Sequence, residues 1–380
     1  MPNRSGGVIA RGTTLTLALL LTSCGTSSNP TPEQEGSGTA ASGSGADGAS
    51  SSSTTPNPTQ NPSTSSEGQT GSASNTTTSA VDSSAGPDTT TGEPTGESGV
   101  VRFVAFGDQG EGNEAQVMVA TAAEMVCADR GCDFALLLGD NFYDVGVTSA
   151  MDQQFVDKFE LPYEGLAMPF YVVLGNHDYG TLANDWARGA HQIEYTNYSD
   201  RWVMPHYWYT FSSETGGTQF FMFDSARMMW NHDVNDQRDW MATEMAASTA
   251  YWKIAVAHHP YLSNGEHGNA GNYEGIPGLP FISGVDVKDF VDDFVCGNAQ
   301  VYISGHDHNR QVFDPVCGTY FFVSGASSKT SDFVFRDDNP TQWGDDQREG
   351  FLWVQIAGHD LTATFYDLDG NLDHELTATL

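Results

Sequence analysis

Short apolar runs, most of them ending in a turn with polar side chains able to bind metal, recur along the chain and restrict it to a narrow set of folds. They read Val101–Phe106 before Gly107-Asp108, Phe134–Leu138 before Gly139-Asp140-Asn141, and Phe170–Leu174 before Gly175-Asn176-His177-Asp178. Further on come Gln219–Phe223 before Asp224, Trp252–Ala257 before His258, Val301–Ser304 before Gly305-His306, and Tyr320–Val323 before Ser324-Gly325. Runs this short and this apolar are strands covered on both faces. Helix-period segments separate several of them: Glu114–Arg130, Met151–Phe159, Asp236–Ala247 and Val287–Val295. Strands alternating with helices predict a layered α/β domain. A hairpin of Leu352–Ile356 and Leu361–Tyr366 around Gly358 closes it. Ligands of open α/β sheets gather outside the carboxyl ends of strands, where Asp, Asn, Tyr and His recur here. Gly107, Gly139, Gly175 and Gly305 are expected to let the chain turn sharply there, so that the next side chain faces the crevice.

Composition divides the 380 residues. Residues 25–98 are almost all Ser, Thr, Gly, Pro, Asn, Ala and acidic residues, without Phe, Tyr, Trp, Ile or Leu. Such a stretch buries too little apolar surface to offset the entropy of ordering, so it reads as a disordered linker. The aromatic residues all follow Val101, and residues 99–380 suffice for a substantial core. With 15 Lys+Arg against 49 Asp+Glu, the formal charge is -34. That excludes nucleic acid as a partner and adhesion to an anionic membrane surface. A small phosphorylated substrate is still admitted, because a local metal cluster outweighs a distant acidic surface.

Arg4 and Arg11 precede the apolar run Leu15–Leu21, too short to span a bilayer, and the run leads through Thr22 and Ser23 to Cys24. This resembles a bacterial lipoprotein signal over residues 1–24, with Cys24 as the acylated residue; the alternative is an ordinary secretory signal. The resemblance implies export and lipid anchoring at the bacterial cell envelope, on the periplasmic face or the cell surface. Cys24 would be the only membrane attachment, and the linker's reach would be roughly 50 Å. The remaining cysteines are even in number, which suits an oxidising compartment. Cys296 and Cys317 each precede a predicted strand, and this favours the pairs 296–317 and 127–132 over four free thiols.

Singly, each polar cluster at a strand end is a weak signal: Gly-Asp is commonly a turn. The ordered set is far more specific. It runs Gly107-Asp108-Gln109-Gly110, Gly139-Asp140-Asn141-Phe142-Tyr143, Gly175-Asn176-His177-Asp178, Ala257-His258-His259-Pro260, Glu266-His267-Gly268, Gly305-His306-Asp307-His308. This series resembles the calcineurin-like metallophosphoesterases, and within them the small, tartrate-resistant type of purple acid phosphatase. Generic relatives usually carry a His two residues after the first Asp. Here that position is Gly110, and Tyr143, three residues past Asp140, supplies a ligand instead.

The resemblance implies a four-layer α/β/β/α sandwich over residues 99–380 and a ferric ion on Asp108, Tyr143 and His308. A divalent ion (Fe, Zn or Mn) would sit on Asn176, His258 and His306, with Asp140 between the two. Hard anionic oxygen donors suit a trivalent ion, and imidazoles with an amide suit a divalent one. His177 and His267 are implied on the substrate side, binding phosphate oxygens and protonating the leaving group, with Glu266 orienting His267. His259 is expected behind the ligands. Asp224 and the remaining histidines (His191, His206, His232, His359, His374) stay outside the site, and Tyr195–Phe211 reads as packing or rim. The activity implied is phosphate monoester hydrolysis by a monomer. A phosphodiesterase or nucleotide phosphatase on the same scaffold is the alternative, and a non-catalytic surface binding protein a further one.

Overall fold

The computed structural model describes residues 99–213, 217–279 and 281–380. The leader, Cys24 and the linker lie outside the described residues. The strands are Val100–Phe106 (β1), Phe134–Leu138 (β2), Phe170–Val173 (β3), Trp202–Val203 (β4), Tyr209–Ser212 (β5), Thr218–Met222 (β6) and Trp252–Val256 (β7). They continue with Val301–Ser304 (β8), Arg310–Phe313 (β9), Tyr320–Ser324 (β10), Thr341–Asp345 (β11), Gly350–Ala357 (β12), Asp360–Asp367 (β13) and Leu372–Thr379 (β14). The helices are Glu114–Arg130 (α1), Trp186–Tyr195 (α2), Ser225–Met229 (α3), Val234–Ala247 (α4) and Val285–Phe290 (α5).

Two seven-stranded sheets result, ordered β14-β13-β12-β1-β2-β3-β4 and β11-β9-β10-β8-β7-β6-β5. In the first, β1 to β4 run parallel; in the second, β6, β7, β8 and β10 do. Side-chain alternation shows how the layers stack. Phe220, Met222, Ile254, Val256 and Ile303 point into the core shared with Phe103 and Phe134 of the first sheet. Their neighbours Phe221, Ala255 and Tyr302 point the other way, against Met241 of α4 and Val287 and Phe290 of α5. The rings of Phe103 and Phe220 meet edge to face across the two sheets, 5.3 Å apart. On the far side, Val119, Ala122, Ala123 and Val126 of α1 join the core. The layering is the α/β/β/α sandwich expected.

α1 has the bounds its periodicity predicts, because both ends are capped. The Asn113 side chain accepts from Gln116 N–H, and Gly131 turns the chain at φ 85°. The helix expected over Met151–Phe159 starts later and ends differently: residues 154–160 coil, with Val156–Glu160 as a π-type turn. Phe155 and Phe159 bury against Trp202, so the apolar spacing registered the buried face of this short coil. Of the Tyr195–Phe211 stretch, Tyr195, Trp202 and Tyr209 are core. Cys127–Cys132 and Cys296–Cys317 are disulfides, as paired above. The second closes a loop of 21 residues, worth about 3 kcal/mol in a chain-entropy account.

Candidate metal centre

The parallel strands of both sheets deliver their carboxyl ends to one place. Asp108 follows β1, Asp140 and Tyr143 follow β2, Asn176 follows β3, His258 follows β7, and His306 and His308 follow β8. The turns work differently from the sequence expectation. Of the four glycines thought to turn the chain, only Gly139 is left-handed, at φ 94°. The ligand-type residues themselves take that conformation: Asp108 at φ 58°, Asp140 at 53° and His306 at 70°. Strained backbone of this kind persists where the surrounding structure over-determines it. Gly107, Gly175 and Gly305 are needed for space instead. A Cβ on Gly175 would fall 2.2 Å from Asp140 Oδ1, and one on Gly305 would fall 2.5 Å from Asp108 Oδ2.

The side chains form two clusters that share Asp140. In the first, the Tyr143 hydroxyl lies 2.9 Å from Asp108 Oδ1, 2.9 Å from Asp140 Oδ2 and 3.1 Å from His308 Nε2. In the second, His258 Nε2 lies 3.0 Å from Asn176 Oδ1, 3.1 Å from His306 Nδ1 and 3.5 Å from Asp140 Oδ2. Asp108, Asp140 and His258 each offer a donor atom within 4.8 Å of the others. All seven residues expected to bind metal therefore converge.

The donor chemistry fits cations better than hydrogen bonds. Tyr143 has one proton for the two carboxylate oxygens beside its hydroxyl. His258 Nδ1 stands 2.9 Å from the Leu138 carbonyl and donates to it. In the neutral ring Nε2 is then a lone pair, and it faces the Asn176 carbonyl oxygen. Two acceptors 3.0 Å apart are explained by a positive ion between them. The charges point the same way. Burial lifts the Asp108 carboxyl to about 7, with His258 opposing and Asp140 adding to the rise. Burial works upward on Asp140 as well, yet His258 and His177 hold it below the usual carboxylate range. Burial raises the Tyr143 phenol, and both carboxylates add to that. Burial also takes His308 down to about 3 and His306 well below its ordinary value, leaving both lone pairs free. With the His306 and His308 rings held neutral, a dry pocket that also gathers two carboxyl groups and a phenol is short of positive charge.

His177 and His267 stand at the rim. The His177 N–H donates to Asp140 Oδ1 at 2.8 Å, and its Nδ1 meets the Asp144 carbonyl at 2.7 Å. Its ring lies beside Tyr143, with centroids 4.6 Å apart. His267 stacks on His306 at 4.1 Å. The carboxylate that orients His267 is Glu274, 2.5 Å from Nδ1, and not Glu266, which stands 3.9 Å from Nε2. Glu274 reaches back because its own N–H donates to the His267 carbonyl at 2.9 Å. Nothing in the sequence marks a residue seven positions along. Burial opposes protonation of His267, but the Glu274 hydrogen bond and the charges of Asp307, Glu274 and Glu266 bring it to about 9.

Supporting residues complete the floor. Asp178 accepts from Asn141 N–H at 3.0 Å, Gly175 N–H at 2.8 Å and Gln192 Nε2 at 2.8 Å, tying two ligand loops together. His259 is buried behind His306, with Nδ1 2.9 Å from Ser225 Oγ. Asp224 caps α3 and accepts from the Tyr179 hydroxyl, away from the ligands. His232 stacks on Trp186 and His374 on Trp343, while His191 pairs with Glu194. His206 packs against Trp208 and His359 against Tyr251.

Residues 101–310 match the family model for calcineurin-like phosphoesterase. The chain belongs to that family. Within this phosphoesterase family it is similar to human tartrate-resistant acid phosphatase type 5, with 28% identity over 315 residues, 72% of this chain and 90% of the relative. It is also similar to purple acid phosphatase 3 of Arabidopsis thaliana, with 26% identity over 314 residues, 76% of this chain and 80% of that one. Among solved structures it shares its fold with GAP50, the anchor in the inner membrane complex of Plasmodium. There the TM-score is 0.60 at 20% identity, over 74% of this chain and 89% of that one. The purple acid phosphatase PPD1 of yellow lupin gives a TM-score of 0.57 at 17% identity, over 75% of this chain and 54% of that one.

Proposed function

We propose that this phosphoesterase is an acid phosphatase, hydrolysing phosphate monoesters with a ferric ion on Asp108, Tyr143 and His308 and a divalent ion (Fe, Zn or Mn) on Asn176, His258 and His306. Asp140 would serve both. One observation carries the reading: two clusters of acceptor atoms, each short of protons, share the single carboxylate of Asp140. Similarity to enzymes named tartrate-resistant and purple acid phosphatases supports it. When bound, such a pair of ions supplies Lewis acidity and an acidified water at phosphorus.

The chain's own residues do the rest. His177 and His267 both have Nδ1 engaged, so Nε2 of each is the atom that meets the ester. His267, kept protonated by Glu274, donates to the departing oxygen; His177 holds a phosphate oxygen beside Tyr143. Glu274→Gln removes the charge that keeps the His267 proton, which lowers that pKa. The proton is then lost at lower pH, so the alkaline limb of kcat moves toward neutrality by about one pH unit. A pH–rate profile shows a larger effect on an alkyl phosphate than on p-nitrophenyl phosphate, whose leaving group needs less protonation; an unmoved limb removes Glu274 from this role.

The residue 1–24 pattern further supports an exported chain, lipid-anchored at Cys24 through the residue 25–98 linker. The deciding experiment measures metal content and the hydrolysis of p-nitrophenyl phosphate and bis(p-nitrophenyl) phosphate from acid to mildly alkaline pH. Faster monoester turnover by protein holding iron and a divalent ion is expected. Preference for the diester would establish a phosphodiesterase, and failure with both esters a binding protein.

A further inference from the structure

Lys329 belongs to none of the motifs that build the centre, yet its ammonium stands 3.4 Å from the centroid of the Tyr143 ring. Neighbouring contacts hold it there. Ser327 N–H donates to the Gly107 carbonyl at 3.1 Å and Ser328 Oγ to the Asp108 carbonyl at 2.5 Å. The Ser328 carbonyl accepts from Asn113 Nδ2 at 2.8 Å. The backbone leading to Lys329 is therefore tied to the turn that carries Asp108 and to the cap of α1. Glu111, three residues past Asp108, holds the ammonium itself at 2.6 Å. Only 26% of the Lys329 side chain is exposed, so solvent screens its charge weakly. The other nearby lysine, Lys158, reaches the Tyr143 carbonyl at 2.5 Å instead of the ring face.

We infer that Lys329 is a tuning residue for Tyr143, setting how strongly that side chain donates electrons to the metal it holds. The inference rests on the proposed ferric site. A cation over the face of an aromatic ring stabilises its π electrons. In a ferric phenolate, visible absorption moves an electron from the ring toward iron. The ammonium stabilises the state in which the ring keeps that electron, so it raises the energy of the transition. Removing the charge lowers that energy and moves the band to longer wavelength.

The test compares wild-type holoenzyme with Lys329→Met and Lys329→Arg, reading iron content and visible spectrum for each. Lys329→Met is expected to keep its iron and shift the band maximum to longer wavelength by about 10–20 nm, the scale of a partly desolvated cation–ring contact. Lys329→Arg retains the charge and is expected to stay with wild type. An iron-loaded Lys329→Met protein with an unmoved band overturns the inference, and so does an Arg variant that shifts as far as Met. Loss of iron from Lys329→Met also overturns it, because removing a positive charge beside a trivalent ion favours binding of that ion. Iron-loaded wild type without any visible band would instead refute the ferric-phenolate reading on which the inference stands.

Discussion

An Asp140→Asn protein is expected to lose more than about a thousandfold in kcat, beyond the ~10²–10³ that one lost electrostatic donor costs. Asp140 is the only side chain placed in both clusters, 2.9 Å from the Tyr143 hydroxyl and 3.5 Å from His258 Nε2. Neutralising it leaves each prospective cation with less opposing charge in a site closed to solvent, where Coulomb terms are strong. The substitution is nearly isosteric, and Asn tolerates the left-handed backbone that Asp140 adopts at φ 53°. The amide oxygen can still accept from His177 N–H. The fold should therefore survive, and metal analysis beside circular dichroism separates lost metal from lost structure. A variant with both metals and undiminished turnover would exclude Asp140 as the shared ligand.

Tyr143→Phe is expected to abolish visible absorption altogether. Among the described residues its hydroxyl is the only phenol in contact with Asp108, Asp140 and His308, so it is the group expected to donate the electron to a ferric ion there. The ring keeps its neighbours, His177 at 4.6 Å and the Lys329 ammonium at 3.4 Å, so packing changes little. Iron should bind more weakly, because one anionic oxygen donor of the trivalent site is gone. Spectra and iron stoichiometry measured on one preparation decide the matter. Colour that persists in a phenylalanine variant at full iron occupancy would rule out the ligand role of Tyr143.

The elements readable from sequence were those whose signal is local. α1 carries its own caps, and the buried parallel strands other than β4 are short apolar runs, so these were placed to within a residue or two; β4, only two residues long inside the Tyr195–Phe211 stretch, was read as packing or rim. The misses share another cause. β9 begins at Arg310, which is fully buried and pairs with Asp345 at 2.9 Å and Asp373 at 2.7 Å. A charge at that position reads as surface until its partners, from distant parts of the chain, are seen. β14 is an edge strand with a polar sequence, Leu372–Thr379, whose pairing with β13 is what makes it a strand. Glu274 was missed in favour of its rival Glu266 because adjacency along the chain is poor evidence of contact around a turn.

The order and chemical type of the residues proposed as ligands needed no coordinates, since each is attached to a strand end and strand, turn and candidate metal donor are all short-range properties. Contacts between different turns were another matter. The acid that holds His267, the left-handed backbone of Asp108, Asp140 and His306, and the lysine over Tyr143 were settled only by how the two sheets meet. Their parallel strands bring loops from residues 107 to 329 within hydrogen-bonding distance, and no local pattern encodes which atoms then face each other.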